Sequence, residues 1–413
     1  ASYDWFKRSA EQGDVIGMHG LGSALYWGQA TSQDQPAGIN WLLKAAEQGY
    51  LRSQATLGYA YSWGDGVKKD APAALKWNTL AAERGDDLSQ ERLGSIYYWG
   101  DGVDQDRSEA YKWFLKSAAQ GNHDAEYSVG VMYSFGQGVA LDYGASIHWY
   151  KKAVEGRHAG AQFNLAVAYD DGLGVEEDDE KAVDLYARAA ALGNANAQYN
   201  LGSRYRSGEG VVKDLEKAVE LFTEAADSGH MEAKNSLAMA YEWGSGVSLD
   251  EAKAKDLFID AARAGSTQAA FNLGIATSYG DRKHASTSLE YLTRAYKQGI
   301  TSAGYRIAVQ HLDQNSGFYS PQNAYAILQG LVAVGKSDSV TSTAFALLGY
   351  MYSNGVHVKK DIPKALEYYA KLQPQSVHSS VLELVVPSLS TVLTPGLMQK
   401  YAPHLIAYLD EFC

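Results

Sequence analysis

The sequence contains a single cysteine, and that cysteine is the last residue, Cys413. An intrachain disulfide is therefore excluded, and the fold must be held together by packing alone. Long apolar runs are also missing, because no stretch approaches the ~20 apolar residues that a membrane-spanning helix needs. We expect that the chain does not cross a membrane.

Positive charge is scarce as well. Lys and Arg number 36 against 48 Asp and Glu, which gives a formal net charge of −12. Nucleic-acid binding depends largely on clustered Lys and Arg, so we do not expect a nucleic acid as partner. An acidic segment at residues 170–180 is either a solvated turn or a site that favours a basic partner.

Sequence signatures of catalysis are lacking too. The chain has neither a G-x-S-x-G elbow nor an H-E-x-x-H zinc motif. Residues 330–337 do match the phosphate-loop pattern G-x-x-x-x-G-K-[ST]. A phosphate loop must follow a strand, whereas residues 324–329 are predicted to be helical, so the match is interpreted as the end of a repeat. We predict no catalytic residue, no metal site and no cofactor.

Internal repetition is what the sequence has in abundance. The segment from Leu57 to Gly85 returns every 36 residues, with corresponding apolar residues at Leu93, Val129, Leu165, Leu201 and Leu237. Each copy predicts two helices, A and B, because apolar residues recur at helical spacing on both sides of a Gly-x-Gly turn. Repetition at this period is typical of a solenoid, in which each unit buries its apolar face against its neighbours.

The ends of the helices carry their own signals. Gly64 is predicted to end helix A in the left-handed conformation, and Asp70 to cap the start of helix B. The aspartate recurs at Asp34, Asp106, Asp142, Asp178, Asp214, Asp250 and Asp361. In the one unit without it, Ser320 is expected to take its place, with Pro321 at the first helical position.

These residues resemble the Sel-one-like repeat family, which is related to the tetratricopeptide repeat. The pattern is most complete in residues 197–229, which include Ala197, Leu201, Gly202, Gly208 and Asp214. The resemblance covers roughly residues 3–371. It implies an all-α fold, a right-handed α/α superhelical solenoid of about ten helix-turn-helix repeats, and an adaptor that binds a protein partner on its concave face without catalysis.

The predicted repeat units start near residues 14, 50, 86, 122, 158, 194, 230, 266, 300 and 336, after a half-unit at the beginning of the chain. The unit at 266 is two residues short in its turn, at 280–284. Beyond residue 371 the period is lost, and residues 372–413 are predicted to form C-terminal capping helices, since the end of a solenoid needs cover. A partner-binding or dimerising tail is the alternative for this segment.

A partner-binding face is predicted from a helical wheel of helix A. With the repeat leucine as position 0, positions −2, +2 and +5 lie opposite the core. The candidates there are Tyr59, Tyr98, Tyr127, Phe163, Tyr199, Arg206 and Phe271, together with Glu91, Asp170 and Glu242. Aromatic residues mixed with single charges are typical of interaction surfaces. The alternative is that these rings pack between neighbouring A helices.

A second aromatic line occupies position +6, directly before the turn glycine. We call this line the aromatic ladder: Trp27, Trp63, Trp99, Phe135 and Trp243, with Asp171, Ser207 and Tyr279 at the same position in other repeats. Such rings can stack on a glycan or grip an extended peptide. Alternatively, each ring covers the neighbouring turn.

The expected function is thus a non-enzymatic scaffold that binds a protein partner, with a glycan- or peptide-binding module based on the aromatic ladder as the alternative. The chain begins in mid-unit without a methionine, which suggests that a signal peptide or earlier repeats precede it. With the family resemblance, this favours an extracytoplasmic location in bacteria, in the periplasm, at the outer membrane or secreted. A cytoplasmic location is left open.

Overall fold

In the computed structural model, the described residues are 2–276, 285–314, 317–334, 338–371 and Val381. These residues form 21 α-helices and, within the described ranges, no strand. The prediction of an all-α chain of repeated helix pairs is confirmed. Within the described residues, no helix is long and apolar enough to span a membrane.

The chain divides into two compact units, residues 1–214 and 215–413. Unit 1 contains α1 Ser2–Glu11, α2 Val15–Trp27, α3 Gln35–Glu47, α4 Leu51–Trp63, α5 Ala71–Ala82, α6 Asp87–Trp99, α7 Arg107–Ala118, α8 His123–Phe135, α9 Tyr143–Glu155, α10 Ala159–Asp170, α11 Asp179–Ala191 and α12 Ala195–Ser207. Unit 2 contains α13 Leu215–Asp227, α14 Met231–Trp243, α15 Glu251–Ala264, α16 Thr267–Ala276, α17 Ala285–Lys297, α18 Thr301–Leu312, α19 Pro321–Ala333, α20 Ser339–Asn354 and α21 Ile362–Tyr369. We number the repeats by helix pair, so that α2–α3 is repeat 1 and α10–α11 is repeat 5.

The recurring aspartates cap the B helices as the sequence predicts. The Asp70 carboxylate accepts a hydrogen bond of 3.0 Å from the backbone N–H of Ala73, and Asp34, Asp106, Asp142, Asp178, Asp250 and Asp361 do the same at their helices. The expectation for Ser320 was only half right. It lies at the N-cap of α19 with Pro321 after it, but its hydroxyl makes no capping hydrogen bond.

Each repeat packs helix A on helix B through small and apolar residues. In repeat 2, Leu57, Ala60, Trp77 and Ala81 are buried. The glycine after the repeat leucine leaves space for a side chain of helix B: a Cβ at Gly94 would lie 2.7 Å from the ring of Phe114. The A–B contact is therefore close because helix A lacks a side chain at this position.

The turns also join one repeat to the next. Gly138, in the turn of repeat 4, has a φ of 74°, and a Cβ there would lie 2.4 Å from the backbone oxygen of Arg107 at the start of α7. Only glycine meets both conditions. Arg157 stands where the other regular repeats close with glycine, and its backbone keeps the left-handed conformation with a φ of 57°.

Some sequence-based predictions fall outside the described residues. They concern Tyr279, the shortened turn at 280–284, residues 335–337 of the phosphate-loop pattern, and the capping helices of 372–413, of which only the buried Val381 is described. The residues before the phosphate-loop pattern are described: 321–333 form α19 rather than the strand that a phosphate loop needs.

Candidate interaction surface

The aromatic ladder is exposed. Its side chains have relative exposures of 51% for Trp27, 71% for Trp63, 74% for Trp99, 65% for Phe135 and 68% for Trp243. Each ladder residue is the last residue of its helix A, and the turn glycine follows directly. Large aromatic side chains that recur in this way on a surface mark an interaction site more often than single exposed apolar residues do. Trp27, Trp63, Trp99 and Phe135 come from consecutive repeats of unit 1.

The residues predicted from the helical wheel are less accessible. Tyr59, Tyr98, Tyr127, Phe163, Tyr199 and Phe271 are half-buried, and Arg206 is exposed. The Tyr127 ring stacks on His158 of the next repeat, with 4.3 Å between the ring centroids, and lies 6.0 Å from Tyr150. Burial raises the pKa of Tyr127. This ring therefore connects two consecutive A helices.

Other members of this set make similar contacts. The guanidinium of Arg92, from the next A helix, lies 5.3 Å from the centroid of the Tyr59 ring. In the same way, the guanidinium of Arg306 lies 5.8 Å from the centroid of the Phe271 ring. Phe163 lies 5.9 Å from Tyr186 of its own repeat. The contacts agree with a packing role, and a direct role of these residues in partner binding stays a prediction.

Two ring contacts join this set to the aromatic ladder. The ring centroids of Trp27 and Tyr59 are 6.4 Å apart, and those of Tyr98 and Trp99 are 4.8 Å apart in an edge-to-face arrangement. The Tyr98 hydroxyl also donates a hydrogen bond to the side-chain carbonyl of Gln137. Tyr59 thus lies beside the ladder ring of Trp27, and Tyr98 lies beside that of Trp99. We call these two tyrosines and the ladder residues of unit 1 the aromatic edge: Trp27, Tyr59, Trp63, Tyr98, Trp99 and Phe135.

A cavity that the sequence analysis missed lies between repeats 4 and 5. It has a volume of about 150 Å³ and is lined by Ser134, Phe135, Tyr143, Ser146, Ile147, Tyr150, Asn164, Val167, Ala168 and Leu173. Its wall includes the ladder residue Phe135, so the cavity adjoins the aromatic edge. The sequence signal was two small residues, Ser134 and Ala168, where the preceding pair of repeats has Tyr98 and Met132.

The next junction, between α10–α11 and α12, is ionic. Arg204 forms ion pairs with Asp170, with Asp179 at 3.0 Å and with Glu209 at 3.1 Å. The Tyr186 hydroxyl donates to Asp170 at 3.0 Å. A depression of about 300 Å³ beside this cluster is lined in part by Arg206 and Ser207.

The wheel placed Asp170 on the outward face, whereas its carboxylate faces into this junction. The cause is Arg204, whose charge compensates the burial of the carboxylate. Arg204 stands at position +3, where repeats 1 to 5 have Ala24, Ala60, Ile96, Met132 and Ala168, so the exception was visible in the sequence.

The acidic residues of the segment 170–180 therefore fall into two groups, those that form ion pairs and those that are exposed. Asp170 and Asp179 pair with Arg204, and Asp178 pairs with Lys181 at 2.6 Å. Asp171, Glu176, Glu177 and Glu180 are exposed. A negative surface thus follows the aromatic edge along unit 1. Among the described residues, no group of three or more His, Cys, Asp or Glu side chains is placed to hold a metal ion.

Comparison with known proteins gives a consistent result. The family model described as Sel1 repeat matches residues 1–14, 15–50, 51–86, 87–122, 123–158, 159–194, 195–230, 232–266, 267–300 and 344–372. The chain is similar in structure to c5321, a protective antigen present in uropathogenic Escherichia coli strains that displays an SLR fold. The TM-score is 0.79 with 29% identity, over 99% of this chain and 89% of the other.

A Sel1 repeat protein from Oxalobacter formigenes also matches, with a TM-score of 0.54 and 29% identity over 59% of this chain and 96% of the other. Among the curated proteins, none matches the chain.

Proposed function

Because this chain belongs to the Sel1 repeat family, whose solenoids generally mediate protein–protein interactions and are generally non-catalytic, we propose that it is a scaffold that binds a protein partner. The partner lies along the face of the A helices, which in helical-pair solenoids is the concave side. The aromatic edge of unit 1 is the centre of this surface. Within unit 1, the face also includes Tyr127, Phe163, Tyr199 and Arg206, and Phe271 is the corresponding candidate in unit 2.

The observation that carries this proposal is the exposure of Trp27, Trp63, Trp99 and Phe135 on consecutive repeats. Interface hot spots are enriched in tryptophan and tyrosine, and they lie in well-packed surroundings. Tyr59 and Tyr98 lie beside Trp27 and Trp99, respectively.

The test is co-purification from the native organism with the wild-type chain and with the double variant Trp63→Ser/Trp99→Ser. We expect a partner that is retained by the wild-type chain and lost from the double variant. Trp5 offers a matched control, because its indole is 59% exposed in α1 and does not belong to the ladder. A partner lost equally from Trp5→Ser and from the double variant would argue against the aromatic edge.

A location outside the cytoplasm is part of the proposal. What supports it is the family. Fractionation of the native cells, followed by detection of the chain in periplasmic, outer-membrane and secreted fractions, tests it. Recovery from the cytoplasmic fraction alone would contradict it.

The exposed indoles also favour a second candidate, a glycan-binding module. Aromatic faces stack on sugars, and Trp27, Trp63 and Trp99 are more than half exposed. Specific signals on a glycan array that Trp63→Ala and Trp99→Ala abolish, and that Trp5→Ala preserves, would place this candidate ahead of the protein partner.

A further inference from the structure

We propose that the cavity between repeats 4 and 5 is an anchor pocket for one aromatic side chain of an extended partner segment, and that Lys or Arg residues next to this anchor face the exposed acids of repeat 5. The proposal rests on the proposed function and names the chemistry of the partner. It commits to a basic, aromatic peptide as the occupant.

The first argument concerns the chemistry of the cavity. Ile147, Val167, Leu173 and Phe135 contribute apolar surface. Polar side chains also line it, namely Ser134, Tyr143, Ser146, Tyr150 and Asn164. The Tyr150 hydroxyl shares a hydrogen bond of 3.0 Å with Ser134 and accepts another of 3.0 Å from Asn164. Because Ser134, Tyr150 and Asn164 already hydrogen-bond to one another, these three side chains offer little to an ordered water, which needs two to four polar partners. An apolar guest therefore suits the cavity better.

The second argument concerns size. The volume is about 150 Å³, and an apolar protein cavity of ~150 Å³ accepts a benzene ring. A phenylalanine side chain fits this space. An alanine would leave most of it empty.

The third argument comes from the preceding junction, which shows what fills the same space when the cavity is absent. Between repeats 3 and 4, Tyr98 packs beside Phe114, with 6.5 Å between the ring centroids, and against the cluster that contains the fully buried Met132. Between repeats 4 and 5, Ser134 and Ala168 occupy those two positions. The cavity thus has the room that a tyrosine ring and a methionine side chain occupy one repeat earlier.

The fourth argument is charge. The aromatic ladder reaches the cavity with Phe135, and the same position in the next repeat is Asp171. Asp171, Glu176 and Glu177 are exposed beside Leu173, which lines the cavity. A segment anchored in the cavity therefore continues past carboxylates, which attract Lys or Arg and repel Asp or Glu.

The experiment uses the full chain and three capped tripeptide probes, Phe-Lys-Lys, Ala-Lys-Lys and Phe-Glu-Glu, with binding followed by ligand-observed NMR. We expect Phe-Lys-Lys to bind at least tenfold more tightly than either of the other two. No binding of Phe-Lys-Lys, or equal binding of Ala-Lys-Lys, would overturn the pocket. Equal binding of Phe-Glu-Glu would overturn the choice of a basic partner.

Two variants fill the cavity with residues that the preceding junction already uses, Ser134→Tyr and Ala168→Met. Each should weaken Phe-Lys-Lys binding at least tenfold while the melting temperature stays the same or rises, since a filled cavity adds packing. Ser228→Tyr is the matched control at an exposed serine outside unit 1. It should bind like the wild-type chain.

Unchanged binding by either filled variant in its folded state would overturn the proposal. A partner that depends on Trp63 and Trp99 would still support the proposed function in that case, so the two failures are distinguishable.

Discussion

Tyr127 is enclosed by a side chain of the next repeat and a side chain of its own repeat. Its ring lies 4.3 Å from that of His158 and 6.0 Å from that of Tyr150. Trp63, by contrast, is 71% exposed. At the scale of single residues, the two aromatic sets therefore differ in what their removal should affect: stability for Tyr127 and binding for Trp63.

The first prediction follows from this difference. Tyr127→Ala should lower the free energy of unfolding by about 2 kcal/mol, because it leaves a gap between α8 and the start of α10. Trp63→Ala should change it by less than about 0.5 kcal/mol, as is usual for exposed positions. Urea unfolding of both variants measures this. Equal free energies of unfolding for the two variants would contradict a packing role for Tyr127.

The second residue-scale prediction concerns two histidines that cap helices. His158 and His230 accept hydrogen bonds through Nδ1 from the backbone N–H groups of Ala161 and Ala233, at 3.0 and 3.1 Å. Only the neutral imidazole can accept them. Burial lowers the pKa of both histidines, opposed by Asp124 near His158 and by Glu232 near His230.

The folded-state pKa of each histidine thus lies below the unfolded value of about 6.5. The unfolded chain binds more protons in this window, so stability falls as the pH falls from about 6.5 through the lowered pKa. The double variant His158→Asn/His230→Asn copies the caps that Asn122 and Asn194 already form.

The melting temperature of the double variant should fall less than that of the wild type between pH 7.5 and 5. Parallel pH curves would refute the role of the two caps.

At the scale of elements, the helices and their ends follow from local chemistry. Aspartates, glycines and the 36-residue period were sufficient to predict the helix pairs and most caps of the B helices. The caps of the A helices were missed because several residue types share that position. Side chains there that accept from a backbone N–H are Asp14, Asp86, Asn122, His158, Asn194, His230 and Ser266, whereas those of Tyr50 and Ile300 do not. Ser320 makes no capping hydrogen bond although serine is a favourable N-cap residue.

The element-scale prediction concerns Arg157. Its φ of 57° is unfavourable for a residue with a Cβ, so Arg157→Gly should raise the stability of the chain by about 1 kcal/mol. Gly121 holds the same position one repeat earlier with a φ of 85°, and an added Cβ would meet no atom within 4 Å there. Gly121→Arg should therefore cost a similar amount through backbone strain alone. Thermal unfolding of the two variants should show shifts of opposite sign, and shifts of the same sign would contradict this account.

At the scale of the whole molecule, the 36-residue period predicted the fold and the line of ladder residues, whereas the cavity arises from exceptions to the period. The sequence places four aromatic residues at one repeat position: Trp27, Trp63, Trp99 and Phe135. It does not show that their side chains are exposed, because exposure depends on how each turn packs against the preceding helix B. The cavity was missed because Ser134 and Ala168 belong to different repeats and become neighbours only after the repeats stack.

The prediction at this scale uses the net charge of −12. Raising the salt concentration from 0.05 to 0.5 M should weaken Phe-Lys-Lys binding several-fold, because salt screens exposed charges. Binding of uncharged N-acetylphenylalaninamide should be unchanged over this range. A salt response of the same size for both probes, measured by the same NMR titration, would show that the acids of repeat 5 do not attract the peptide.

The junctions between repeats differ in chemistry although their turns are alike. Three consecutive junctions of unit 1 take their character from position +5 of one repeat and position +3 of the next: Tyr98 with Met132, Ser134 with Ala168, Asp170 with Arg204. A chain with Tyr98→Ser and Met132→Ala would therefore carry two pockets, one repeat apart. Packed helices lie ~10 Å apart, a distance that an extended peptide covers in about three residues. Such a chain would select peptides by the spacing of their two aromatic residues, and it would prefer a spacing of about three residues.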